Sequence, residues 1–326
     1  MNVRVVVIGA GKMGRAHAMV LAAVPGVELV GIVSKGGKTA ENVAAELNVP
    51  RYGTDWRSIA TEAAADACVV AVSHAMTESI TRDVLDHGMH VLAEKPVAMS
   101  SSAARDLAGI ASAKGLVAMA AVNRRFYPGL TESLDLARLI GPVYCVTVIA
   151  PDSAEPRRIY GTQSAFVCDH WLQMNTIHAI DLLRMVGGEP VSVQGFVERR
   201  GRTDDMSIVA AMRFDGGALG AFVLPGGINK PWQMQVAGDG FSITAEPLEA
   251  VVIRIGDSAP QSMPTCARKS NFKLGLYEQA YAFTEAVRHR TPLAWPCSDL
   301  SDHAQTLALI EQVQSGVLEP ASCLRS

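Results

Sequence analysis

Over the first 120 or so residues, short β-branched runs alternate with segments whose apolar residues recur at helical spacing. The runs 3–8, 28–33, 67–72, 90–93 and 116–121 are apolar nearly throughout, as strands buried on both faces must be. Between them, 14–24, 39–47, 77–87 and 101–114 carry the 3.6-residue period, and Gly, Pro or Asn closes most of them. Strand and helix in strict alternation predict an α/β domain, a doubly wound parallel sheet with helices on both faces.

After Asn123 the pattern changes. A helix over 131–140 precedes a strand at 143–150, an irregular stretch from 151 to 168, and a helix over 171–186 closed by Gly187 and Gly188. Six further runs, 191–198, 206–214, 218–224, 232–237, 241–245 and 251–255, read as strands, with hairpin signals at Asp215-Gly216 and Asp239-Gly240. Helices over 274–289 and 299–315 finish the chain. The expectation is a Rossmann-type domain over 1–122 and an α+β domain over 123–326 with an open, mostly antiparallel sheet, the last helix free to pack back on the first domain. The long 151–168 stretch reads as a lid or pocket wall.

With 326 residues, 49% of them hydrophobic, the chain has enough apolar side chains to fill two cores. The 29 Lys and Arg against 32 Asp and Glu leave no basic excess for binding a phosphate backbone, so nucleic acid is not an expected partner. No apolar run approaches the roughly 20 residues of a membrane span, and the apolar start lacks the length and basic leader of a signal peptide, so the expected compartment is the cytoplasm. Cys68, Cys145, Cys168, Cys266, Cys297 and Cys323 are scattered without a CxxC pair, so disulfides are not expected. Cys168, Asp169 and His170 are adjacent and cannot all face one ion from a regular element; no metal site is expected.

The first chemical signal is Gly9-Ala10-Gly11-Lys12-Met13-Gly14, directly after a strand and opening a helix. There the first Gly permits a tight turn, the second lets a diphosphate approach the backbone, the third lets helix pack on strand, and the helix N-terminus supplies N–H donors. Gly9, Gly11, Lys12 and Met13 are therefore expected cofactor contacts, joined by Ser73 and His74 after the strand at 67–72. About 20 residues past such a turn an NAD site places an acid on the ribose 2′-hydroxyl. This chain has Ser34 and Lys35, then Gly36, Gly37 and Lys38: a hydroxyl and cations suited to a 2′-phosphate, which favours NADP over NAD. A solvated turn with surface lysines is the plain alternative.

Glu94-Lys95-Pro96 ends the fourth strand, where the carboxyl edge of a parallel sheet faces its ligand. A partly desolvated Lys95 beside a nicotinamide could take a hydroxyl proton as hydride leaves, or return it in reduction; a lysine merely reaching water is the alternative. Further on, Asn175, His178 and Asp181 share one broad helix face with Met174 and Met185 nearby, a weak signal alone.

Taken in order, Gly9 to Gly14, Glu94-Lys95-Pro96, Asn123-Arg124-Arg125-Phe126 and His178-Ala179-Ile180-Asp181 resemble the glucose-fructose oxidoreductase and inositol dehydrogenase (Gfo/Idh/MocA-type) family over nearly the whole chain. The resemblance implies an oxidoreductase with Lys95 as catalytic lysine and Glu94 beside the cofactor, and His178 as the histidine that contacts substrate. Arg124 or Arg125 would lie at the crossing between domains. It also implies a sugar, polyol or related carbonyl substrate, and pairing of two or four copies through the open sheet. Many family members carry an Asp four residues before the helix histidine, where this chain has Met174. Asn175 is the neutral substitute, a quarter-turn away on an α-helix. Met174 keeps a second reading open, a nucleotide-binding protein without turnover that reports redox state. Tyr160, His170 and Trp171, with Arg157 and Arg158, are the expected substrate wall if they face the cleft; a plain surface position is the alternative for each. Alternating apolar residues, Val209, Ala211, Phe222 and Leu224, are the expected pairing face.

Overall fold

The computed structural model describes residues 2–152, 161–199, 206–264 and 271–315. These divide into two compact units, one containing the described residues of Met1–Phe126 and Cys266–Gln305, the other those of Tyr127–Thr265 and Thr306–Ser326.

The first unit holds a six-stranded sheet in the order β3-β2-β1-β4-β5-β6, every pairing parallel. Its strands are β1 (Val3–Ile8), β2 (Val27–Val33), β3 (Tyr52–Gly53), β4 (Ala67–Val70), β5 (His90–Glu94) and β6 (Ala118–Ala121). Helices α1 (Lys12–Leu21), α2 (Gly37–Leu47), α3 (Trp56–Glu62), α4 (His74–Asp86) and α5 (Ser101–Ala113) connect them. Val5, Val6 and Val7 of the central strand are all fully buried, which is why successive positions along β1 are apolar rather than alternating. Val5 and Val7 face a cluster built with α1 and α2, while Val6 and Ile8 face one built with α3, α4 and α5.

Two elements appear where the sequence reading has none. β3 is two residues long, and α3 is seven, too short for a period to show. What starts α3 is its cap: the Asp55 carboxylate accepts from the Arg57 amide at 3.0 Å, and Trp56 is buried directly behind it. The chain returns to this unit late. A helix over Leu276–His289 places Leu276, Ala280 and Phe283 in the same apolar cluster as Val20 and Leu21 of α1. Complete burial of a side chain like Phe283 stabilises the docking by about 1.5–3 kcal/mol.

The second unit is organised by an eight-stranded sheet in the order β14-β13-β12-β11-β7-β10-β9-β8. Its strands are β7 (Val143–Ile149), β8 (Pro190–Arg199), β9 (Met206–Phe214), β10 (Leu219–Leu224), β11 (Gln233–Gly238), β12 (Phe241–Ala245), β13 (Val251–Ile255) and β14 (Gln261–Ser262). The sheet is antiparallel except where β7, arriving first in sequence, inserts between β10 and β11 and runs parallel to β10. Both expected hairpins form. Gly240 takes φ +74° between β11 and β12, while the left-handed residue between β9 and β10 is Gly217, one place beyond the expected Asp215-Gly216 pair.

Helix α6 (Pro128–Ile140) and the helix Ile177–Gly187 pack on one face of this sheet. That face carries Ile208, Ala210, Met212, Phe222, Leu224 and Met234, all buried. The opposite face is open. Register places Phe196, Val209, Val223 and Ile149 side by side across β8, β9, β10 and β7, with Phe196 74% and Val209 54% exposed. The expected pairing face therefore needs correction: Val209 and Ala211 belong to the open face, but Phe222 pairs with Ala210 and, like Leu224, points into the covered one. Apolar positions on two strands do not by themselves fix a register, and one step of register exchanges the faces.

The helix expected over 171–186 is interrupted. Leu172–Thr176 is π-helical and the α-helix runs from Ile177 to Gly187. Part of the expected 151–168 loop is a short helix, Ala165–Asp169, capped by the Ser164 hydroxyl.

Candidate active site

The glycine turn joins β1 to α1 in the first unit. Gly9 has φ +108°, and a Cβ there would stand 2.1 Å from the Ala71 carbonyl oxygen; one on Gly14 would stand 1.7 Å from that of Gly9. Both positions thus require glycine to bring β1, α1 and β4 together. Gly11 differs, since a Cβ there would meet nothing within 4 Å. Its missing side chain leaves an open approach to the N-terminus of α1, whose first turn has no side-chain cap and no acidic residue. Unsatisfied N–H groups beside open space are what a bound diphosphate uses, so these residues fit a dinucleotide.

At the end of β2, the Ser34 hydroxyl donates to the Gly36 carbonyl at 2.8 Å, which leaves its oxygen able to accept. Lys35 is exposed, whereas Lys38 is engaged with Glu41 at 2.8 Å. Ser73 is the residue before α4 and His74 its first member. Burial lowers the His74 pKa, the charge of Lys95 lowers it further, and Glu94 opposes both. His74 is therefore within electrostatic reach of the Glu94-Lys95 pair.

Glu94 closes β5 with 13% of its side chain exposed. Its Oε1 lies 2.8 Å from Nε2 of His17, a fully buried residue of α1. Burial pushes the Glu94 carboxyl up, but the His17 hydrogen bond and the charges of His17, Lys95 and Lys273 outweigh it and hold the group below the ordinary carboxylate value. Lys95 follows at the carboxyl edge of the sheet. Arg124 lies in the 3-10 turn Asn123–Phe126 that ends β6, and its neighbour Arg125 is buried against Asp302 at 2.7 Å. Arg125 is thereby committed to structure, which leaves Arg124 as the candidate for ligand contact.

His17 and Lys273 are missing from the sequence-based set. A buried polar residue one turn past the third glycine was the available signal for His17; Lys273 had none, being brought in by the chain's late return. A cavity of about 630 Å³ lined by His90, Arg105, Val117 and Arg290 also belongs to this unit, but it sits at the amino ends of β5 and β6, the edge opposite Lys95.

The remaining candidates belong to the second unit. His178 is buried in the first turn of its α-helix, and Met174 is buried in the π-helical segment just before it. The Asn175 amide donates to the carboxylate of Asp152, a buried acid that follows β7 and that the sequence reading did not single out. Asp181 accepts from the Thr306 hydroxyl at 3.1 Å, and Thr306 accepts from Arg184. His170 Nδ1 is 2.9 Å from the Phe166 carbonyl and its ring packs on Phe166. Trp171 is buried with Cys168. Tyr160, Arg157 and Arg158 lie outside the described residues. The described cysteines Cys68, Cys145, Cys168 and Cys297 form no disulfide, and no group of metal-ligating side chains occurs among the described residues.

Residues 3–122 match the family model described as "Oxidoreductase family, NAD-binding Rossmann fold", and residues 138–243 match the "GFO/IDH/MocA C-terminal domain". Over 232 residues the chain is 24% identical to scyllo-inositol 2-dehydrogenase (NAD(+)) of Bacillus subtilis, covering 67% of this chain and 66% of that one. Over 204 residues it is 31% identical to inositol 2-dehydrogenase of Rhizobium meliloti, covering 59% and 58%. The match thus spans 66% and 58% of the length of these two relatives. UDP-N-acetylglucosamine 3-dehydrogenase from Acidithiobacillus ferrooxidans shares the fold with a TM-score of 0.80 at 22% identity, covering 97% of this chain and 98% of that one.

Proposed function

Because the chain belongs to the GFO/IDH/MocA oxidoreductase family, we propose that it is an NAD(P)-dependent dehydrogenase acting on a carbinol or carbonyl carbon of a sugar, polyol or sugar-derived compound. The observation that carries this reading is in the first unit: a glycine turn open to a diphosphate, and at the carboxyl edge of the same sheet a lysine next to a carboxylate kept ionised by a buried histidine. The inositol dehydrogenases among its relatives support the substrate class.

When bound, the nicotinamide ring supplies or accepts the hydride. The protein's own part is proton transfer and placement. Lys95 takes the hydroxyl proton in oxidation and returns it in reduction. Glu94, held by His17, gives the Lys95 ammonium a fixed countercharge. His178 orients the substrate oxygen, and Arg124, Tyr160, His170, Trp171 and Asn175 complete substrate binding. Ser34 and Lys35, with no acid at the end of β2, favour NADP over NAD. The domain roles are dinucleotide binding by residues 1–122, joined by the returning segment within Cys266–Gln305, and substrate binding by the rest of 123–326.

The open sheet face of the second unit is assigned to a second copy of the chain, since its apolar row of Phe196, Val209, Val223 and Ile149 is surface that pairing of two copies would bury. The deciding experiment mixes the purified protein with NADPH or NADH and a panel of sugars, keto-sugars and aromatic aldehydes, following reduced-nicotinamide absorbance. Cofactor binding without turnover on any of them would replace the enzyme by a redox-reporting protein.

A further inference from the structure

Lys273 lies outside both segments that the family models match. The fold nevertheless fixes it at the cofactor edge of the first unit. Asn123 Nδ2 donates to the Leu274 carbonyl at 2.8 Å, tying the segment ahead of Leu276–His289 to the turn that ends β6. Gly275, at φ +77°, makes that approach possible, because a Cβ there would stand 2.1 Å from the Asn123 carbonyl oxygen. On the other side of Lys273, the Phe272 ring stacks on Tyr277, with centroids 6.2 Å apart and planes 4° from parallel.

Held on both sides, Lys273 reaches the glycine turn, where its Nζ is 4.0 Å from Met13 Sδ. Burial lowers its pKa, Arg124 and Lys12 lower it further, and Glu94 opposes them. Lys12 and Arg124, from separate parts of the chain, thus both repel the Lys273 charge, while Glu94, which His17 already holds, attracts it. Like charges gathered this way are unfavourable until an anion joins them. The uncapped first turn of α1 presents its N–H groups at the same glycine turn.

We propose that Lys273 binds the diphosphate of the dinucleotide, clasping it against the glycine turn from the segment that leads into Leu276–His289. This rests on the dinucleotide reading above. It separates the work of two cation groups: Lys35 at the end of β2 for the ribose 2′-phosphate, Lys273 for the diphosphate common to both cofactors.

The test is calorimetric titration of the parent protein, Lys273→Met and Lys273→Arg with NADH, NADPH, ADP-ribose and adenosine at fixed low salt. Lys273→Met should raise the dissociation constants of NADH, NADPH and ADP-ribose together, by about tenfold for one charge-assisted contact. The NADPH to NADH ratio and adenosine binding should stay unchanged, and Lys273→Arg should bind nearly as the parent does. Because Lys273 belongs to no buried apolar cluster, the Met variant should fold, and Lys273→Gln serves as a second charge deletion. Unchanged ADP-ribose affinity in both deletions overturns the assignment. So does a loss confined to NADPH, which would move Lys273 to the 2′-phosphate, or a rise confined to substrate KM, which would give it an acidic substrate. If the parent protein binds neither NADH nor NADPH, the dinucleotide reading itself fails, a result distinct from all of these.

Discussion

His17 Nε2 and Glu94 Oε1 lie 2.8 Å apart inside the first unit, joining the second turn of α1 to the last residue of β5. The helix that the glycine turn opens and the residue before Lys95 are thus connected through one buried contact. Replacing His17 with Phe fills the space but leaves a buried carboxylate without that donor, which should cost about 1–3 kcal/mol in urea unfolding.

The pH dependence of that cost follows from the lowered Glu94 pKa. A carboxyl whose folded pKa lies below its unfolded one adds stability that is fully present above the unfolded value, about 4.3. The contribution is lost as pH falls through the lower, folded value. The stability gap between parent and His17→Phe should therefore hold from neutral pH down to that region and close in more acid solution. A gap that widened on acidification would show that the pair does not hold Glu94 ionised.

Lys95→Met keeps the stem and removes the proton carrier. Turnover should fall by about 10² to 10⁴, the range for losing a general acid or base, with little change in cofactor affinity. His178→Asn should cost less if the imidazole only orients substrate. Steady-state kinetics on a substrate that the parent protein clearly turns over, beside a cofactor titration, checks both; near-normal turnover of Lys95→Met would move the proton to another group.

NADPH should bind more tightly than NADH by about 1.5–3 kcal/mol, the worth of a charge-assisted contact to the 2′-phosphate. Ser34→Asp should reverse the order by repelling that phosphate and accepting from the ribose hydroxyl. Fluorescence titration at matched salt measures both, and equal affinities in the parent protein would remove the argument.

The open face of the second sheet predicts a particle larger than the 34.6 kDa chain. Introducing Phe196→Lys with Val209→Lys places two charges in the apolar row and should give the monomer mass in light scattering, with the fold retained because neither side chain is in the core. A parent protein that is already monomeric at micromolar concentration would leave the face to some other partner.

What the amino-acid sequence determined by itself was whatever depends on neighbours within a few residues. The apolar runs of β1, β2, β4 and β5 could only be strands covered on both faces, and Gly9 and Gly14 could only be a turn in which backbone touches backbone. Period, turn chemistry and capping act over a single turn or a strand's length, so they are written locally. The short α3 was missed for the same reason, since its information is one Asp55 cap and one buried Trp56 rather than a period.

Tertiary structure decided everything that required segments far apart in the chain to meet. β7 entered the second sheet beside β10 rather than next to a sequence neighbour, and the register of β9 on β10 sorted Val209 from Phe222 onto opposite faces. Asp181 accepts from Thr306, 125 residues away. Lys273 met Met13 across 260 residues because Gly275 lets the returning backbone lie against Asn123. Which of many possible long-range contacts forms is settled by the joint burial of whole faces and the pairing of whole strands, and no short stretch of sequence holds that information.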